Sequence, residues 1–132
     1  YESLRQKTVA LPIEWSSNLG PDDVARRLRE ATCAYLPFPG GASERRGSLL
    51  AVMGNGVPVI TTDGPGRPPE MSKAVRFAAN PAEALAAIVD LTQDLAQAET
   101  LVAEARKYLV DFSWPKIADD HVAIYKQLLR VG

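Results

Sequence analysis

The chain has 132 residues, enough for a domain with its own core, and we expect a single domain over residues 1–132. Hydrophobic residues make up 46% of it and the formal net charge is −1, which argues against a disordered chain or a nucleic-acid-binding protein. No apolar run approaches the roughly 20 residues of a membrane helix, so we expect no transmembrane segment.

A single cysteine, Cys33, excludes an internal disulfide and a multi-cysteine metal site, and no metal site is predicted. No cationic residue adjoins Cys33, which favours a buried structural thiol over a nucleophile, and a reducing, cytoplasmic location. The chain opens at Tyr1 without a methionine, and its first seven residues read like the polar end of a helix. We therefore expect a fragment of a longer chain.

The first third of the chain predicts an extended segment and then a helix. Residues 9–15 can be extended, and Pro12 favours an edge position. Gly20 and Pro21, followed by two aspartates, predict a helix start, and the helix should run to Ala31. Its apolar residues repeat at helical spacing and predict one buried face against a sheet, formed by Val24, Ala25, Leu28 and Ala31.

The middle of the chain predicts a strand, helix, strand unit. Residues 32–36 are short and apolar, as in a central parallel strand. Residues 47–54 form a short helix that Asn55 and Gly56 close, and residues 58–61 form the next strand. The glycine- and proline-rich loops 37–42 and 63–71 then leave the carboxyl ends of neighbouring strands, where such a fold binds its ligands.

The last third predicts one short strand, residues 75–78, and three helices. Asn80, Pro81 and Glu83 form a capping box that starts a helix running to Thr92. A second helix covers residues 94–108, and Ser113 caps the last one. The apolar stripe of this last helix consists of Ile117, His121, Ile124, Tyr125 and Leu128. We expect His121 to pack there rather than to act as an acid or base. Trp114 and Tyr125, on or beside the stripe, are expected to pack rather than to stack on a sugar.

Strands that alternate with helices predict an α/β fold, with a Rossmann-like parallel sheet flanked by helices and a helical C-terminal segment. In order and spacing, the pieces resemble the C-terminal, donor-binding half of a GT-B glycosyltransferase of the retaining family 4 type. The resemblance covers most of the chain. It rests on residues 19–23 and 33–37, on 47–63 with their Gly-Val-Pro-Val-Ile turn and Thr-Asp end, on Pro69-Glu70 and Asn80-Pro81, and on 112–118 with Tyr125.

The resemblance implies a partial GT-B C-terminal domain that binds a UDP- or GDP-linked sugar and works with an N-terminal acceptor domain, without a further cofactor. That missing domain can hold the cytoplasmic protein at a membrane surface. The two glutamates of the family site fall on Ser43 and Ala51, where this chain has no carboxylate. Glu44, one residue from the first position, is the candidate catalytic residue that orients the sugar, and Glu70 matches a family glutamate that follows proline.

The physical chemistry of residues 43–49 also favours an anion. A helix that starts at Gly47 leaves the amides of Gly47, Ser48 and Leu49 free, and Arg45 and Arg46 add forked donors for phosphate. The predicted donor-binding residues are thus Ser43, Arg45, Arg46, Gly47, Ser48, Leu49 and Glu70. Each of these residues also has a purely structural explanation. The two arginines can be the solvated start of a helix, and Glu70 can be a solvated carboxylate or one that caps the backbone. Asp63 is expected to cap the turn that it begins.

Two functions stay open at this point. In the first, the chain is the donor-binding half of a transferase and catalyses nothing alone. In the second, the missing carboxylate at Ala51 marks a non-catalytic glycosyltransferase-like scaffold or protein-interaction domain. A receiver domain is rejected, because Asp63 stands without the acidic cluster that phosphoaspartate chemistry needs.

Overall fold

Three short parallel strands and six α-helices form the part of the chain that the computed structural model describes, residues 2–7 and 10–130. The strands and most helices lie where the sequence predicts them. In chain order the elements are α1 (Glu2–Lys7), α2 (Pro21–Glu30), β1 (Ala34–Leu36), α3 (Gly47–Gly54), β2 (Val59–Thr61), a 3₁₀ helix (Pro69–Lys73), β3 (Arg76–Phe77), α4 (Pro81–Gln93), α5 (Leu95–Leu109), a second 3₁₀ helix (Val110–Phe112) and α6 (Trp114–Arg130).

The described sheet has the order β1-β2-β3, and both pairings are parallel. Ala34 lies opposite Val59 in the first pairing, and Ile60 lies opposite Arg76 in the second. The α/β class with a parallel sheet is thereby confirmed. Because parallel strands share their direction, the loops that follow β1 and β2 emerge at the same edge of the sheet.

Helices cover both faces of the sheet. Neighbouring residues of a strand point to opposite faces, so Val59 packs with α3 on one face and Ile60 packs with α4 on the other. Helix α5 contributes to both sides, with Ala98 in the α4 cluster and Ala105 in the α3 cluster. The fully buried side chains with the largest volume are Leu49, Met53, Ile60, Met71 and Leu91, with the smaller Val59 and Thr61.

The predicted bounds of α3 and α4 and the predicted start of α6 are confirmed. The Asn80 side chain accepts a hydrogen bond from the Glu83 amide at 3.0 Å, and Glu83 in return accepts one from the Ala79 amide at 2.9 Å. Asn55 ends α3, and Gly56 follows it at φ +75°, a left-handed conformation that suits glycine. The Ser113 hydroxyl accepts from the Lys116 amide at 3.4 Å.

Two predictions for the N-terminal part are wrong. Residues 10–15 form no strand and are irregular, while Val9 lies outside the described residues. Pro12 has no amide hydrogen to donate to a ladder, and these residues pair with none of the described strands. In α2 no residue is fully buried, and Val24 is 41% exposed, because only Leu28 and the adjoining Ala31 reach the core around α3.

The predicted packing of the α6 stripe is also wrong. Trp114 is 82% exposed, and His121 lies in solvent with Nδ1 2.8 Å from the Ile117 carbonyl oxygen. The apolar side chains of α6 that are exposed also include Val122, Ile124, Tyr125, Leu128 and Leu129. The reason is geometric, since α6 packs against the described body chiefly through the 3₁₀ helix Val110–Phe112.

Two smaller points concern burial and length. Cys33 is half-buried, beside the α4 cluster, and burial raises the pKa of its thiol, as expected for a structural thiol. Among the described helices, none is long and apolar enough to cross a lipid bilayer.

Candidate functional site

Two loops at the carboxyl edge of the sheet, residues 37–46 after β1 and 62–68 after β2, are joined to each other. The Thr62 hydroxyl accepts from the Phe38 amide at 3.0 Å and donates to the Phe38 carbonyl at 2.7 Å. The Ala42 amide donates to the Thr62 carbonyl at 2.9 Å. We call this pair of loops the loop clamp.

The closest approach in the loop clamp is between two glycines. A Cβ atom placed on Gly41 would lie 2.5 Å from both Cα and N of Gly64, closer than real side chains come to backbone. Gly41 also has φ +87°, in the left-handed region. Both positions therefore need glycine, and the two loops hold each other in place.

Helix α3 begins directly after the first loop of the clamp. No described side chain caps its N-terminus, and the first intrahelical bond runs from the Leu50 amide to the Arg46 carbonyl at 3.2 Å. The amides of Gly47, Ser48 and Leu49 precede that bond and have no intrahelical acceptor. Gly47 and Ser48 are exposed, so the positive end of α3 faces solvent there, whereas the Leu49 side chain lies in the core.

The two predicted arginines have different surroundings. Arg46 donates from Nη2 to the Pro39 carbonyl at 3.0 Å, and its guanidinium lies 5.0 Å from the centre of the Phe38 ring. Arg45 is exposed and has no hydrogen bond or ion pair with a described residue. Arg46 therefore stabilises the loop clamp, and Arg45 is the one available for a ligand.

Asp63 caps the turn that it begins, as predicted. Its Oδ1 accepts from the Gly64 amide at 2.7 Å and from Arg67 Nε at 2.6 Å. The hydrogen bond from Arg67, with the one from Gly64, holds the pKa of the Asp63 carboxyl below its usual range. Arg67 continues to the Ser72 hydroxyl at 2.7 Å and lies over the Phe77 ring, so this ion pair fixes the second loop.

Glu44 and Glu70 line the same cavity, although 26 positions separate them in the chain. The cavity has a volume of about 400 Å³ and lies between the first of the two loops, the 3₁₀ helix Pro69–Lys73, the end of α5 and the 3₁₀ helix Val110–Phe112. Four carboxylates line it, those of Glu44, Glu70, Glu104 and Asp111. The other lining residues are Lys73, Lys107, Tyr108 and Phe112. We call it the carboxylate cavity.

Tyr108 is the residue of this cavity that sequence reasoning missed. Its hydroxyl oxygen is buried and has no hydrogen-bond partner among the described residues. Burial, with the nearby carboxylates of Glu44 and Glu70, raises the pKa of Tyr108 to about 12. The Glu44 carboxylate is close enough to act on the Tyr108 pKa but lies outside hydrogen-bond geometry. No local pattern in the sequence separates Tyr108 from an ordinary residue of a last helical turn.

Both lysines of the carboxylate cavity influence the Glu104 carboxylate. Lys107 Nζ is 2.5 Å from Glu104 Oε1, and this hydrogen bond is the main cause that lowers the pKa of Glu104. Lys73 acts on the same carboxylate through its charge. Glu44, Glu70 and Asp111 form no ion pair with a described residue, so these three carboxylates carry the uncompensated negative charge of the cavity.

Of the residues predicted from the sequence, Ser43, Glu44, Arg45, Gly47 and Ser48 lie along the α3 start. Glu70 joins them through the cavity. Ala51 is exposed on α3, and its methyl group offers no contact for a ribose. Within the described residues no cluster of histidine, cysteine and carboxylate side chains is arranged to hold a metal ion.

A second cavity, of about 450 Å³, lies at the opposite edge of the sheet. Its walls come from α5 and from the residues that precede β1 and β2, and most of them are apolar. Glu99 and Arg106 are its charged residues. Because it lies near the amino ends of the strands, it is separate from the loop clamp.

No model of a known protein family matches the chain, and no curated protein matches it significantly in sequence.

Proposed function

We propose that the chain is the donor-binding half of a GT-B glycosyltransferase of the family 4 type, with a Rossmann-like sheet, and that it binds a UDP- or GDP-linked sugar. The observation that carries the proposal is the shared cavity of Glu44 and Glu70. Glu44 comes from the loop before α3 and Glu70 from the 3₁₀ helix after β2, and both were predicted to contact the donor. Glu44 lies three positions before Gly47, where the open N-terminus of α3 begins.

The two ends of a nucleotide diphosphate sugar need opposite surroundings, and the chain offers both. The diphosphate is assigned to the start of α3, where the amides of Gly47 and Ser48, the positive helix end and the unpaired guanidinium of Arg45 favour an anion. The sugar is assigned to the carboxylate cavity, where the oxygens of Glu44 and Glu70 accept hydrogen bonds from hydroxyl groups.

In the transfer reaction, negative charge develops on the departing diphosphate. The amides of Gly47 and Ser48 are fixed by the helix that they begin, so they would stabilise that charge without moving, and the exposed Arg45 would add its guanidinium. Glu44 would orient the sugar. The acceptor and the second half of the cleft belong to a domain that these residues do not supply, so the chain alone is expected to bind the donor and transfer nothing.

The test is a calorimetric titration of the chain with UDP and with GDP. We expect one of them to bind with a Kd in the millimolar range or tighter, and Arg45→Ala to weaken it about tenfold, because a hydrogen bond to a charged group contributes about 1.5–3 kcal/mol. Arg26→Ala, which removes an exposed guanidinium from α2, is the matched control and should bind like the original chain. Absence of binding to both nucleotides would contradict the proposal.

The exposed apolar face of α6 favours the second function, a non-catalytic scaffold that contacts another protein. The same titration separates the two functions, because a scaffold has no need for the anion site. Arg46→Ala is not used in the test, since it would also release the Pro39 carbonyl and the Phe38 ring from the loop clamp.

A further inference from the structure

The charge of the carboxylate cavity limits which sugars can enter it. Four carboxylates and two lysines line the cavity, so negative groups are in excess by two. The lysines do not compensate this charge evenly, because Lys107 bonds Glu104 and Lys73 acts on the same carboxylate. The excess therefore lies at Glu44, Glu70 and Asp111, the three carboxylates that have no ion pair with a described residue.

Around Glu44 and Glu70 the cavity is rich in hydrogen-bond acceptors and poor in donors. Ionised carboxylates only accept, and Tyr108 supplies the single hydroxyl hydrogen that lies near them. Glu44 and Glu70 are exposed to the cavity and form no ion pair with a described residue, so their oxygens are available to accept hydrogen bonds from a ligand. A ligand that fits here brings donors, such as hydroxyl or ammonium groups, and no carboxylate.

We infer that the transferred sugar is a neutral or amino sugar and that sugar acids are excluded. The inference rests on the proposed function, since it concerns the group attached to the diphosphate. The physical cause is like-charge repulsion, which amounts to about 1 kcal/mol at 4 Å in water and about 4 kcal/mol at the lower effective dielectric near a protein surface.

The experiment compares UDP-glucose with UDP-glucuronate, which differ only in a hydroxymethyl group and a carboxylate on the same ring. The guanine pair is GDP-mannose with GDP-mannuronate, if GDP binds better than UDP. We expect the sugar acid to bind at least about tenfold more weakly than the neutral sugar. This difference in affinity should become smaller as salt is added, because salt screens charges at an open cavity.

Two isosteric variants test the assigned carboxylates. Glu70→Gln and Glu44→Gln each remove one negative charge with little change in shape. Both should therefore reduce the ratio between the affinities for the neutral sugar nucleotide and the sugar-acid nucleotide. Glu99→Gln makes the same chemical change at the second cavity and should leave that ratio unchanged. The ratio of two affinities is measured, so a general loss of affinity in a variant does not obscure the result.

Each outcome decides one of the two proposals. Equal binding of the two sugars by a chain that binds UDP or GDP overturns the sugar class and leaves the donor-binding function standing. A ratio that stays unchanged in both Glu70→Gln and Glu44→Gln also overturns it, since the discrimination would then have another source. No binding of either nucleotide overturns the proposed function, and the sugar class with it.

Discussion

The loop clamp and helix α6 are opposite extremes of this molecule. In the loop clamp, backbone touches backbone at Gly41 and Gly64, and the Thr62 hydroxyl bonds both polar groups of Phe38. In α6, six large apolar side chains are exposed and the main support is one turn of 3₁₀ helix. The first region is fixed by contacts within the described chain, and the second is not.

The loop clamp and α6 are held in their conformations by different kinds of interaction. The clamp derives its shape from its own hydrogen bonds and close contacts, so a ligand at the α3 start meets groups that are already in place. Helix α6 derives its shape from local helix preference and from its Ser113 cap, and it leaves its apolar face unused. Three sets of substitutions in the folded chain test this contrast.

The largest contrast is expected between two leucines. Leu91 is 0% exposed beneath the sheet, and Leu91→Ala should lower the free energy of unfolding by about 2–5 kcal/mol through lost burial and the cavity that remains. Leu128 is 66% exposed on α6, and Leu128→Ala should change the free energy of unfolding by no more than about 0.5 kcal/mol. Urea denaturation followed by circular dichroism measures both. A cost above about 1 kcal/mol at Leu128 would mean that α6 is covered in solution.

The next contrast lies between neighbouring glycines of the clamp. Gly41→Ala forces a left-handed alanine, at about 1–2 kcal/mol, and drives its Cβ into the backbone of Gly64, at about 1–3 kcal/mol more. Gly40 is also left-handed, at φ +80°, but open space surrounds it, so Gly40→Ala should carry the first cost alone. Equal losses in the same urea measurement would show that the close approach to Gly64 is not maintained in solution.

The smallest effect concerns pH and the ion pair of the second loop. Because the folded pKa of Asp63 is lowered, its stabilisation is complete above the ordinary value of 3.8 and is lost as pH falls through the folded pKa. Asp63→Asn should therefore be less stable than the original chain at pH 7, with a difference that shrinks below pH 3.8. A stability difference that does not shrink below pH 3.8 would contradict this role of the Asp63 carboxylate.

Local patterns predicted most elements of the fold. The capping box at Asn80, the close of α3 at Asn55-Gly56 and the short apolar strands depend on neighbours within a few residues, so the sequence carries them directly. The prediction that α6 packs its apolar stripe was wrong for a related reason. An apolar stripe says which face a helix would bury, but the surface that covers it is not written in the helix itself.

The candidate site was predicted only in part, because its geometry depends on distant residues. Residues 43–49 and Glu70 were chosen from local chemistry and resemblance, and their common cavity follows from the fold. Tyr108 lines the cavity together with Glu44 and Glu70, and Gly41 approaches Gly64. Each of these contacts joins residues that are 23 or more positions apart in the chain. No periodicity or spacing in a single sequence predicts such contacts.

The contact between Gly41 and Gly64 also determines how this chain can change in evolution. Most packed pairs tolerate exchange, since a larger residue on one side can be offset by a smaller one on the other. Gly41 and Gly64 both lack a side chain, so neither can be replaced by a smaller residue. A larger residue at one position therefore cannot be compensated by a substitution at the other. In relatives that keep these two loops, the contact should leave its trace as two invariant glycines rather than as correlated substitutions, and saturation mutagenesis at both positions should recover glycine at each.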